Sequence, residues 1–486
     1  MKEQLIGKKN IRLTAQTGMS TLEVLIAFTI ITLCVGAVIL LNFGNQSIAT
    51  SLQTGGESIS QTQETLESAR ATSIENYNQV QDCDDATAKP CSDTADSFYS
   101  RKLTISSATQ CAKNVKSSTS FNLDHQILTT DFITKLTDIV TALALGGDCS
   151  GVSPSGDWSN PEKLNSIDTL PTDLKSTGLD VKNKIVYIST DPSLATDPDF
   201  FIFDASNTSE TSPPVLTASI NTGPGLSSVD VAESYAYVAN DSKNGQLQII
   251  DVSDADNPML ITTMNVVPGG TDTNTVGTKV FYYNKKIYLG LKKNIYAEFY
   301  VINVENPLNP SLQGGYELNS SVNSISVSGD YAYIANPNAE EVTIVDINEN
   351  SSKFMQRVGG FDAPGGSGNG KSIRIIGNKL YLGRTVGNIE FYVLDITDPK
   401  NPSILGSNNI NSSVKDLVVA GDYAYLATSE SGSEFQILDI SDNSNPMLIG
   451  KYNYSSGSTG VDYEDNLVYM SSENEDALTI IKPTTQ

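Results

Sequence analysis

Two sets of carboxylates recur in the second half of this chain at spacings that could serve chemistry. Asp251, Asp346, Asp395 and Asp439 each close an apolar segment, as in Ile249-Ile250-Asp251-Val252. Such a series could ligate calcium or supply acid–base groups. Each also opens a turn rich in Asp, Ser, Asn or Pro, where a carboxylate accepts from nearby backbone amides, and turn formation is the simpler reading. Asp180, Asp230 and Asp462 share one place in a repeated segment, with Arg374 at the same place in another copy. They could converge on a polar ligand or satisfy one another between units. The single histidine, His125, lies outside this half, and no Gly-x-Ser-x-Gly, His-Glu-x-x-His or phosphate-loop motif occurs. No catalytic residue, metal or cofactor is assigned, and the chain is expected not to be an enzyme.

The elements that must position these residues are repeats. A tyrosine inside an apolar strand recurs at Tyr187, Tyr237, Tyr288, Tyr333, Tyr381, Tyr425 and Tyr469. An alternating strand precedes each, such as Val229-Asp230-Val231, and a third strand ending in an acidic turn follows. A fourth strand generally opens on Asn-Pro, at Asn257-Pro258, Asn309-Pro310, Asn401-Pro402 and Asn445-Pro446. Four short strands per period of about 40–50 residues is the pattern of propeller blades. The seventh unit ends after its third strand. Asn160-Pro161, ahead of the first unit, matches a fourth-strand opening, so residues 160–170 are expected to close the ring. Units such as Gly421-Asp-Tyr-Ala-Tyr-Leu-Ala followed by Ile437-Leu-Asp-Ile-Ser-Asp resemble LVIVD-repeat proteins. That family is associated with surface proteins and taken to fold as β-propellers.

The N-terminal region reads differently. Val24 to Leu41 is an uncharged apolar run, preceded by Glu23 and by a leader in which Lys2, Lys8, Lys9 and Arg12 outweigh Glu3. A run of that length suggests a signal anchor with a cytoplasmic N-terminus. Gly18-Met19-Ser20-Thr21-Leu22-Glu23 and the residues after it resemble the class III leader of type IV prepilins and pseudopilins. The resemblance implies a prepilin peptidase that cuts between Gly18 and Met19 and N-methylates Met19. It also implies a role for Glu23 in assembly, neutralising the amino terminus of a neighbouring pilin subunit; buried charges are tolerable when paired. Residues 45–78 continue with helical spacing, and 64–70 are similar to PilV-like minor pilins. Residues 97–122 suggest short strands around 99–105. Leu128, Phe132, Leu136, Val140 and Leu143 suggest an amphipathic helix over 127–145.

Cys83, Cys91, Cys111 and Cys149 fall on the expected exterior side, an even number suited to disulfides in an oxidising compartment. Pairing of Cys83 with Cys91 and Cys111 with Cys149 is the most economical of three possibilities. The net charge of −25 argues against nucleic acid, which needs basic patches.

The expected fold is α+β and multidomain: leader 1–18, a transmembrane pilin helix 19–42, a disulfide-tied head 43–156, and a seven-bladed all-β propeller 157–486. The expected location is a single-pass membrane protein with its C-terminus outside, then the pilus or cell surface. The function expected is a minor type IV pilin-like protein presenting a propeller for adhesion to an unknown surface ligand. Alternatives are a pseudopilin of a secretion or DNA-uptake filament and a membrane-tethered surface enzyme.

Overall fold

In a computed structural model, the described residues are 56–72, 80, 83–84, 99–108, 112–123, 126–137, 154–167 and 175–484, except 193, 195, 339, 366–367, 386, 454–456 and 474–476. Gly18, Met19, Glu23, the apolar run 24–41, His125, Cys91, Cys111 and Cys149 lie outside them, as does the side chain of Cys83. The proposed cleavage, assembly contact and disulfides are therefore outside the described structure.

The N-terminal unit is one helix on a small sheet. Helix α1 (56–72) packs against the antiparallel strands β1 (Cys83–Asp84), β2 (Tyr99–Ala108), β3 (Ala112–Leu123) and β4 (Gln126–Thr137), which pair in chain order. Leu66 and Ala69 of the helix meet Leu103, Val115 and Leu136 of the sheet in one buried cluster. The expected helix over 127–145 is corrected: residues 126–137 are a strand paired with β3 along its whole length, from Leu123↔Gln126 to Ala112↔Thr137. The misleading signal has a simple cause. Positions four apart share a helix face, but they also share a strand face, because strand side chains alternate with period two. Ile127, Thr129, Thr130, Ile133 and Thr134 add the β-branched bias that favours a strand.

The expected α+β class with a membrane-spanning helix is also corrected. Among the described residues α1 is the only helix, strands dominate, and no helix is long and apolar enough to cross a membrane. The expected single-pass membrane location fails on the same finding. Helix α1 has 17 residues, about 25 Å at 1.5 Å per residue, and carries Glu57, Glu64, Glu67 and Arg70.

Residues 175–484 form seven four-stranded sheets. Six are built from consecutive strands, as blades 1 (175–220), 2 (226–264), 3 (277–316), 4 (324–361), 5 (370–408) and 6 (414–452). Blade 7 takes three strands from 458–484 and its fourth from β5 (Asp157–Ile167). The pairing of Leu478–Thr484 with β5 runs from Leu478↔Ile167 to Thr484↔Asp157. Closure by residues near 160–170 is thus observed, shifted three residues towards the N-terminus. The innermost strands of successive blades touch around a ring, that of blade 7 against that of blade 1.

The core sits between blades. Seven buried clusters each join two neighbouring blades. This explains why the third strands, such as Phe200–Asp204 and Phe435–Asp439, are buried at four consecutive positions, most of them apolar. Both faces of a middle strand are covered, so the polar alternation of a one-sided sheet disappears. Inner hairpins turn at Asn183-Lys184, Asn284-Lys285 and Asp465-Asn466, where both residues have positive φ, as type I′ turns require.

Candidate functional site

Backbone register brings the suspected axial residues together. Asp180 pairs with Tyr187, Asp230 with Tyr237, Arg374 with Tyr381 and Asp462 with Tyr469. All four therefore hold one position on innermost strands. Three of them staple blades to each other. Asp462 accepts the Val181 N–H at 2.9 Å, Asp180 that of Val231 at 2.6 Å, and Asp230 that of Tyr282 at 2.7 Å. Arg374 Nε donates to the Leu417 carbonyl at 3.4 Å. Each bond runs from one blade to the next, satisfying an inner-strand group that would otherwise face the axis unpaired.

These carboxylates are not ordinary surface acids. Burial pushes Asp180 well above the usual carboxylate range, and the nearby charges of Asp462 and Asp230 push it further. Asp230 is also raised by burial, against the Tyr282 amide and the cations Arg374, Lys182 and Lys279. Asp180, Asp230 and Arg374 line an axial cavity of about 190 Å³.

At one end this cavity meets a wider mouth of about 510 Å³. The mouth is built by a shared irregularity. In six of seven blades the pairing of the first two strands skips one inner-strand residue, for instance between Gly370 and Ser372 or between Val414 and Asp416. Bulged residues aim their side chains off the regular pleat. Here they are Thr177, Ser227, Thr278, Lys371, Lys415 and Thr459, with Asn323 just ahead of the regular strand of blade 4.

The recurrent acidic turns belong elsewhere. Asp251, Asp346, Asp395 and Asp439 accept the amides of Ser253, Asn348, Thr397 and Ser441, at 2.8–2.9 Å. Bonds from the Ser253 and Thr397 hydroxyls and amides hold Asp251 and Asp395 below the usual range. Turn formation is their role, and among the described residues no group of three or more His, Cys, Asp or Glu could hold a metal.

Sequence reasoning missed a third set. The residue immediately before the third strand is Asp199, Gln246, Glu298, Glu341 and Glu390 in blades 1 to 5, and all five are buried. Their side chains accept amides of the segment following the fourth strand. Asp199 takes Thr222, Gln246 takes Val266, Glu298 takes Leu318 and Asn319, Glu341 takes Ala363, and Glu390 takes Ile410 and Asn411. Burial raises Asp199 and Glu298 despite these bonds. Glu341 also forms a fully buried ion pair with Arg384 of blade 5, at 2.5 Å. An acid or amide repeated directly before an apolar run was the available signal.

Residues 226–266, 320–357 and 412–454, in blades 2, 4 and 6, match the LVIVD repeat. The chain carries LVIVD repeats in a propeller. A chain of the mitotic checkpoint complex is similar in fold, with a TM-score of 0.50 and 12% identity over 69% of this chain and 98% of its own. Virginiamycin B lyase from Staphylococcus aureus gives 0.49 and 12%, over 67% and 99%. At such identities the likeness concerns fold alone. No curated protein matches the sequence.

Proposed function

We propose that this chain is a non-enzymatic binding protein whose propeller receives its ligand in the axial funnel. One observation carries the reading. The bulge threonines of blades 1, 3 and 7 bind the neighbouring blade, but in blades 5 and 6 the bulge residues are lysines with no such partner among the described residues. A repeat that departs from its own structural rule at the rim of a cavity points to selection for contact. The axial carboxylates favour a structural over a catalytic role, since Asp180, Asp230 and Asp462 each use an oxygen to hold an amide of the next blade. The test is a binding screen of the full chain against immobilised neutral and anionic polysaccharides and proteins, alongside Ser227→Trp, which fills the mouth. At least a tenfold loss of the retained ligand in that variant supports the funnel. Unchanged retention, or none by the wild type, refutes it.

At finer grain, we read the function as presentation on a surface filament, supported by the leader-like residues around Gly18, Met19 and Glu23. Prepilin peptidase and other pilin subunits would be its partners. N-terminal mass analysis of protein made with and without the peptidase tests this. A mature N-methylated Met19 is expected only with the enzyme, and an uncut chain in both samples refutes it. Labelling of sheared filaments separates adhesive presentation from a secretion or uptake filament.

A further inference from the structure

We infer that the funnel mouth is an oxyanion site that takes an acidic saccharide, a sugar ring carrying a sulfate, phosphate or carboxylate. The inference rests on the reading that the funnel receives the ligand.

The repeat supplies its own control. At the bulge position, Thr177 Oγ1 donates to the Leu226 carbonyl at 2.6 Å, and Thr278 Oγ1 to that of Val322 at 2.8 Å. Asn323 Nδ2 donates to Gly370 at 2.6 Å, and Thr459 Oγ1 reaches Ser176 Oγ at 3.5 Å. All four acceptors belong to the following blade. Of the six bulge residues, Thr177, Thr278 and Thr459 make such a bond and Ser227 makes none among the described residues, while Asn323 does the same from the blade without a bulge. The prevailing use of this place is therefore structural. Lys371 and Lys415 hold the same position in adjacent blades and break that use. Lys279, one residue beyond the bulge of blade 3, and Lys175 of blade 1 line the same mouth. None of the four ammoniums donates a hydrogen bond or joins an ion pair among the described residues.

Clustered cations raise the energy of the empty protein. Lys371 is pulled below its ordinary value by burial first, then by repulsion from Lys415 and Lys279. In a chain of net charge −25, this concave site is an exception, setting four lysines against three carboxylates. A bound oxyanion would remove that repulsion, and partial desolvation in a cleft strengthens the attraction.

The rest of the mouth argues for a sugar rather than a bare ion. Its volume of about 510 Å³ falls in the range of organic ligand pockets, roughly 300–1,000 Å³. Three carboxylates share it. Asp416 is engaged by the Ser372 hydroxyl at 2.8 Å and by the Leu417 amide. Asp191 and Glu473, from blades 1 and 7, line the wall. Carboxylates would repel a polyanion but accept hydrogen bonds from the hydroxyls of a ligand with one anionic group. Ser227 offers a further hydroxyl.

The test uses titration calorimetry and thermal shift on the full chain with five probes: N-acetylglucosamine, its 6-sulfate, glucose 6-phosphate, glucuronic acid and sodium sulfate. At least one acidic sugar should bind tenfold or more tightly than the neutral sugar and than sulfate, and should weaken with added salt. The double variant Lys371→Gln/Lys415→Gln should lose at least tenfold in that affinity. Its melting temperature without ligand should equal or exceed that of the wild type, which confirms folding. The preferred probe distinguishes the three acid groups. Equal binding of neutral and acidic sugars, unaffected by the double variant, overturns the oxyanion site but leaves funnel binding standing. Equal binding of sulfate and the acidic sugars overturns the saccharide. No binding of any probe overturns the inference, while the screen with Ser227→Trp decides funnel binding separately.

Discussion

Trp158, the single tryptophan of the chain, is the plug of the ring closure, and its removal should open the propeller. It is the second residue of β5 and is 1% exposed. Its ring meets Tyr425 of blade 6 edge-to-face at 4.8 Å, within a cluster that includes Phe435, Val461 and Ile481. Truncation to alanine leaves a cavity shared by blade 6, blade 7 and the closing strand. Large-to-small core changes of this kind cost about 3–5 kcal/mol, and loss of the aromatic pair accounts for about 0.5–1.5 kcal/mol beyond area. Against a total stability of roughly 5–15 kcal/mol, about a fifth or more is at stake. Urea unfolding of the full chain followed by circular dichroism measures the effect, and Trp158→Phe serves as the shape-preserving control. In the wild type, tryptophan emission should shift red at the same midpoint, because the only fluorophore of that class sits in the closure. A loss below about 1 kcal/mol for Trp158→Ala would refute the idea that β5 seals the ring.

Removing Arg384 by Arg384→Met should cost about 3–5 kcal/mol, since Glu341 is left as a buried charge; adding Glu341→Gln should recover most of it in a double-mutant cycle. Asp180 has a folded-state pKa raised above its unfolded value, so its contribution is full below the unfolded pKa, near 3.9, and is lost as pH rises through the raised value. Asp180→Asn keeps an oxygen for the Val231 amide, and its melting temperature should fall less than the wild type's as pH rises across that window; parallel profiles would sink the idea. Gly383→Ala builds a Cβ 2.5 Å from Val414 of the next blade, and overpacking of this sort should cost about 1–3 kcal/mol in the same urea assay. Deleting 157–167 should lower the melting temperature far more than removing 483–486, which takes only the last pairing of Thr484 with Asp157.

Much of the propeller was written locally. The tyrosine of each second strand, the Asn-Pro openings and the acidic turns each follow from strand, turn and burial rules acting within about 45 residues. The orphan Asn160-Pro161 disclosed the missing strand because a repeat leaves a countable gap. The small N-terminal sheet was less legible. Leu128, Phe132 and Leu136 fit helix and strand alike, and pairing with β3, a tertiary fact, decided between them.

From the residues alone, Asp180, Asp230, Asp462 and Arg374 hold one equivalent place, whereas Lys371 and Lys415 carry no signal. Sequence by itself could not say which way any of these side chains faced. An aspartate that accepts an amide from the next blade and a lysine that opens onto a cavity differ only through the bulge between them. That bulge depends on strand pairing, and the cavity depends on seven blades closing around one axis. Chemistry at the mouth is therefore a property of the ring, because no single repeat contains the neighbours that make its cations repel.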